Sequence, residues 1–229
     1  TDFKIPVEFF TKIEPKSVVY LGNPNNPDGQ ILNKERLKQI LPLVEKTQSY
    51  LILDESFVDF LGDFFSYRKL CLCHRQVIIV SSLTKFYAVP GLRIGCSFST
   101  EEIAKKCQEQ LIPWHVNGLV QTYMKSALAD DAYIQRTREY CKTERNRMIT
   151  DLSAIDSIKV YPGSVNFFLC KLTRKFKSAY ELQQALWPYK IILRQCGNYA
   201  GLDESYFRIA VKIKEENLRL VNALRKVLE

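Results

Sequence analysis

Apolar and polar positions alternate in two different rhythms along this chain. Short apolar runs at Val18–Leu21, Tyr50–Leu53 and Val77–Val80 are each bounded by polar or turn-forming residues. Runs of that length read as buried strands. Cys96–Phe98 predicts one further short strand. Between them, Arg36–Val44 repeats its apolar positions at helical spacing, and Asn33 stands where a helix cap belongs. Strands alternating with helices predict an α/β domain with a mostly parallel sheet and right-handed crossovers. In such sheets ligands bind beyond the carboxyl ends of the strands. Asn26, Asp54 and Lys85 each follow a predicted strand, so all three are expected to converge at one edge.

The rhythm becomes helical from Glu101 to Ile149, with a break expected at Pro113-Trp-His. A second alternating pattern follows. Ile158–Tyr161, Val165–Leu172, Ile191–Leu193 and Phe207–Val211 predict strands, and Ser178–Leu186 and Glu215–Leu228 predict helices. Thr1–Lys16 reads as a helix leading into the first strand. The expected organisation is part of a large domain over 1–112, a helical connection over 113–150, and a small C-terminal α+β domain over 151–229.

Composition adds limits. The chain has 229 residues, 46% hydrophobic and 25% charged, which is ordinary globular usage. No apolar run is long enough to span a bilayer, and no membrane partner is expected. The net charge is +8, but the basic residues are scattered and form no block of the kind that binds nucleic acid. The densest group, Lys171, Arg174, Lys175 and Lys177, reads as a solvated turn and helix start. Seven cysteines without a pairing pattern read as reduced thiols of a cytoplasmic protein, several of them buried. Cys71-x-Cys73-His74 lacks a second ligand pair and does not fit zinc spacing.

The strand-end residues fit pyridoxal 5'-phosphate. That cofactor needs a lysine for its aldehyde and a carboxylate beside its pyridine nitrogen. It also needs a donor for its phenolic oxygen, and hydroxyls with an arginine for its phosphate. Lys85, Asp54, Asn26, Ser82 with Thr84, and Arg93 are those residue types. Taken singly, each has a plainer reading: Asn26 serves a turn, Asp54 caps a helix, Lys85 faces solvent, and Arg93 pairs with Glu101 or Glu102.

Three stretches carry a resemblance to a known family. "NPNNPDG" (23–29), "LDESFVDF" (53–60) and "SLTKFYAVPGLRIG" (82–95) resemble the signature segments of the class I and II aminotransferases of fold type I. "PWHVN" (113–117) and "LRQCGNYAGLDESYFRIAVK" (193–212) resemble the threonine-phosphate decarboxylase branch, and the histidinol-phosphate aminotransferases are the sibling branch. The resemblance implies a cofactor linked through Lys85, with Asp54 on the ring nitrogen, Asn26 on the phenolic oxygen, and Ser82, Thr84 and Arg93 on the phosphate. It implies Arg208 on the substrate α-carboxylate, with Asn26 beside it, and Arg194 on a second anionic oxygen of the substrate. Phe57 stands where aminotransferases of the family often have tyrosine, and phenylalanine cannot donate. The implied activity is decarboxylation of L-threonine O-3-phosphate to aminopropanol phosphate, within cobalamin biosynthesis. The alternative is a histidinol-phosphate-type aminotransferase. A homodimer is implied as well. Family members carry a long upstream part, so the segment reads as a piece of a longer chain. A shortened, non-catalytic binding protein is the reading from another class.

Overall fold

A computed structural model describes residue 3 and residues 5–229. The chain divides into two compact units, Thr1–Asn25 with Gln30–Arg138, and Asn26–Gly29 with Glu139–Glu229. The boundary after Arg138 falls inside one long helix, α4 (Asp131–Ser153), so the helical stretch 113–150 is shared between the units.

The first unit is built on a four-stranded sheet in the order β1 (Val18–Gly22), β2 (Tyr50–Asp54), β3 (Val77–Ser82), β4 (Gly95–Phe98). β1, β2 and β3 run parallel, and β4 is antiparallel to β3. The side chains alternate. Leu51, Leu53, Val77 and Ile79 are fully or nearly fully buried against α1 (Lys34–Lys46). α1 presents Leu37, Ile40, Leu41 and Val44, one apolar stripe at helical spacing. Asn33 caps it as expected, its Oδ1 accepting from the Arg36 amide at 2.8 Å. The opposite sheet face, with Tyr20 59% and Tyr50 42% exposed, is open. α2 (Glu101–Glu109) and α3 (Gly118–Leu128) follow β4, separated at Pro113-Trp114-His115 as the sequence suggests.

The second unit holds an antiparallel sheet in the order β5 (Ile158–Tyr161), β6 (Phe167–Leu172), β8 (Tyr206–Ala210), β7 (Arg194–Gln195). The second part of α4 (Asp131–Ser153), with α5 (Ala179–Leu186) and α6 (Lys214–Leu228), packs on it through Met148, Leu152, Leu182, Leu186 and Leu224.

Two sequence expectations need correction. Thr1–Lys16 is not an α-helix: its described residues form one short 3-10 segment, Val7–Lys12, and residues 1, 2 and 4 lie outside the described residues. Pro6 and Pro15 bracket that segment and leave no room for a longer helix. Ile191–Leu193 is not a strand either. The Gln183 side chain donates to the Ile191 carbonyl and accepts from the Leu193 amide, both at 2.7 Å. These bonds replace a ladder, which starts only at Arg194. Among the described residues no helix is long and apolar enough to cross a membrane, and all seven cysteines are free, with Cys71, Cys141, Cys170 and Cys196 buried.

Candidate active site

In the first unit the predicted residues sit where β2 and β3 end. The pairing of Asp54 with Val80 places the two strand ends side by side. Asp54 is half-buried. Its Oδ1 accepts from the Ser56 amide at 2.9 Å and from the Ser56 hydroxyl, and its Oδ2 accepts from the Tyr20 hydroxyl at 2.5 Å. Asp54 therefore closes a local turn and caps no helix.

β3 ends in a pair of hydroxyls. Ser82 Oγ and Thr84 Oγ1 are 2.8 Å apart, and Thr84 is buried. Lys85 follows them and is exposed, its Nζ lying 5.3 Å from the centre of the Phe57 ring. Among the described residues its ammonium forms no ion pair. Arg93 returns to the same strand end, because the Leu83 amide donates to the Ile94 carbonyl at 3.2 Å and Gly95 pairs with Ser82. Arg93 is exposed, and Nη1 donates to the Pro90 carbonyl at 3.0 Å. It does not pair with Glu101 or Glu102; Glu102 is held by Arg75 and Lys106. The structure thus brings Asp54, Ser82, Thr84, Lys85 and Arg93 to one end of one sheet.

Behind them lies a buried network that was not foreseen. Glu55 is fully buried and accepts from Ser66 Oγ at 2.6 Å and from the Tyr67 amide at 2.5 Å. Burial pushes its carboxyl pKa up, against the pull of those two hydrogen bonds and Arg68. Arg68 joins Asp59 at 2.8 Å and Ser81 at 3.1 Å, tying the segment after β2 to the end of β3.

Asn26 belongs to the second unit together with Arg208 and Arg194. Arg208, half-buried on β8, donates from Nη1 to Asn26 Oδ1 at 2.5 Å. Tyr199 donates to the same oxygen at 3.4 Å, and the Arg194 guanidinium lies 5.9 Å from the centre of the Tyr199 ring. Arg194 is the register partner of Arg208. It lines an open cleft of about 710 Å³ with Ser178, Tyr180, Asn198 and Glu204. Asn26 is held in place by close backbone packing nearby. A Cβ at Gly29 would lie 2.8 Å from Gly163 Cα, and one at Gly163 would lie 2.5 Å from the Phe167 carbonyl oxygen.

Tyr20, Ser56 and Tyr199 hydrogen-bond to predicted residues, and strand-end reasoning does not reach them. Tyr20 was findable: alternation along β1 puts it on the sheet face of Asp54. Tyr199 carried no comparable signal, since it lies in an irregular loop.

The donor set suits pyridoxal 5'-phosphate: a free amine, a hydroxyl pair, an unpaired guanidinium edge and an oriented carboxylate share one strand end. The family model described as "Aminotransferase class I and II" matches residues 5–224. The threonine-phosphate decarboxylase of Salmonella typhimurium is 35% identical over 92% of this chain and 57% of its own length. The histidinol-phosphate aminotransferase of Clostridium acetobutylicum superimposes with a TM-score of 0.87 at 35% identity, over 92% of this chain and 63% of its own. The L-threonine-O-3-phosphate decarboxylase of Porphyromonas gingivalis gives 0.82 at 29% identity, over 93% and 64%. The chain spans less than two thirds of the length of each of these proteins.

Proposed function

We propose, for a chain that belongs to the aminotransferase class I and II family, that it is the part of a pyridoxal-phosphate enzyme carrying the cofactor lysine and the substrate carboxylate site. The proposed reaction is decarboxylation of an O-phosphorylated amino acid, with L-threonine O-3-phosphate giving aminopropanol phosphate, a step of cobalamin assembly. The observation that carries this reading is the Arg208–Asn26 pair. A guanidinium half-buried and anchored on one nitrogen keeps its other N–H groups to grip a carboxylate. An O-phosphorylated amino acid presents that carboxylate together with its phosphate in one molecule; in histidinol-phosphate aminotransfer only the 2-oxo acid partner carries one.

The cofactor, when bound, supplies an electron sink for the bond broken at the substrate α-carbon. The residues of the chain do the rest. Lys85 would offer its exposed amine to the cofactor aldehyde and could hold or return a proton at the substrate α-carbon. Asp54 accepts from the ring nitrogen. Ser82, Thr84 and Arg93 hold the phosphate. Asn26 donates through its amide nitrogen to the phenolic oxygen, its Oδ1 being occupied by Arg208. Arg208 and Arg194 fix the posture of the substrate, and posture selects which α-carbon bond breaks. The homodimer implied by the resemblance is part of this proposal, as is a cytoplasmic location.

Histidinol-phosphate aminotransfer is the second reading, favoured by the fold match to the Clostridium acetobutylicum protein. Incubation with O-phosphothreonine separates the two. Release of carbon dioxide and phosphorylated aminopropanol without any added 2-oxo acid is expected. Amine transfer that depends on a 2-oxo acid would replace the decarboxylase with the aminotransferase.

A further inference from the structure

Asp54 is not held by its own turn alone. Tyr20 lies on β1 and Asp54 at the end of β2, and the register sets Gly22 beside Asp54 and Tyr20 beside Ile52. Tyr20, Gly22 and Asp54 therefore share one sheet face. From that face the Tyr20 phenol reaches across to the end of β2 and donates to Asp54 Oδ2 at 2.5 Å. Ser56 occupies Oδ1 through its amide and hydroxyl. A carboxylate has about four acceptor positions. Three are filled by donors, two on Oδ1 and one on Oδ2, and one is left, on Oδ2.

We propose that Tyr20 is a positioning residue for the cofactor site: its phenol fixes the Asp54 carboxylate so that a single acceptor position of Oδ2 remains for a cationic ring N–H. This inference rests on the cofactor reading above and deepens it. Tyr20 suits the task because it keeps its proton. Burial and then the hydrogen bond to Asp54 raise its pKa to about 12, so it donates throughout the physiological range. Its ring is largely exposed, so the hydrogen bond, and not core packing, is its main contribution. Tyr50 is a natural control: it lies on the same sheet face, two strand steps behind Asp54, and its phenol makes no hydrogen bond to that carboxylate.

The test compares the parent chain with Tyr20→Phe and Tyr50→Phe, each titrated with pyridoxal 5'-phosphate. Absorbance follows binding, and visible circular dichroism per bound cofactor reports how firmly the ring is oriented. Tyr20→Phe is expected to weaken binding roughly tenfold, part of the effect of a lost hydrogen bond to a charged group, and to lose most of the visible dichroism. Its melting temperature should fall by no more than a few degrees, the cost of one hydrogen bond on an exposed face. Tyr50→Phe is expected to behave as the parent does. If the parent binds and Tyr20→Phe binds with the same affinity and dichroism, or if Tyr50→Phe shows the same losses, the positioning role is overturned while the cofactor reading stands. If the parent binds no cofactor, the cofactor reading fails, and the role of Tyr20 falls with it.

Discussion

Arg208 Nη1 donates to Asn26 Oδ1 at 2.5 Å, although the two residues are 182 positions apart in the chain. The bond orients both partners. It fixes the guanidinium in rotation, and it turns the Asn26 amide nitrogen away from Arg208. Tyr199 donates to the same oxygen.

Arg208→Lys should therefore damage substrate binding more than cofactor binding. Lysine keeps the charge but loses the fork that can serve Asn26 and a carboxylate together. A loss of about 1.5–3 kcal/mol for a hydrogen bond to a charged group corresponds to a roughly ten- to hundredfold rise in KM for an amino acid substrate. Titration with the cofactor should be nearly unchanged. Steady-state kinetics with O-phosphothreonine checks the first part and absorbance titration the second.

Much of this was legible in the sequence because the strand ends are marked twice. Alternation gives the buried strands, and the residues just beyond them, Asp54 and Lys85, are polar where a buried run has stopped. The Arg208–Asn26 contact was not legible from pattern. No local rule joins residues so far apart, and only the family resemblance gave Arg208 a role. The 191–193 segment shows the converse. Ile191 and Leu193 are buried while Ile192 is exposed, as along a strand, but Gln183 takes the segment's backbone groups, and a side chain's choice of partner leaves no periodic trace. Tyr20 illustrates a third limit: its sheet face follows from alternation, yet its reach to Asp54 depends on the pairing register of β1 with β2.

Gly163→Ala should destabilise the second unit. The added Cβ would lie 2.5 Å from the Phe167 carbonyl oxygen, which is backbone of β6 and cannot swing away. A cost of roughly 1–3 kcal/mol is expected. Gly29→Ala should act in the same direction, since φ is +71° there and its Cβ would meet Gly163. Urea unfolding midpoints of both variants measure the effect.

Glu55 should make stability fall with rising pH. Its folded pKa is raised above the ordinary 4.5, chiefly by burial. The stability it contributes is thus fully present below that value and is lost as pH rises through the folded pKa. Glu55→Gln removes the ionisation and preserves acceptance from the Tyr67 amide. Its unfolding free energy should gain on the parent's as pH rises from 4.5 toward neutrality. Equal pH slopes in the two proteins would refute the role given to burial here.

Leu182→Ala empties a fully buried position in the core of the second unit. The expected cost is about 2–5 kcal/mol, read by denaturant unfolding. The proposed reaction of Lys85 with the cofactor should survive wherever the protein remains folded.

The most direct measurement is reduction with sodium borohydride after incubation with pyridoxal 5'-phosphate, followed by peptide mapping by mass spectrometry. A single phosphopyridoxyl group on Lys85, absent from Lys85→Ala, is expected. Labelling spread over other lysines, or retained in full when Lys85 is replaced, would contradict the assignment of this strand end as a cofactor site.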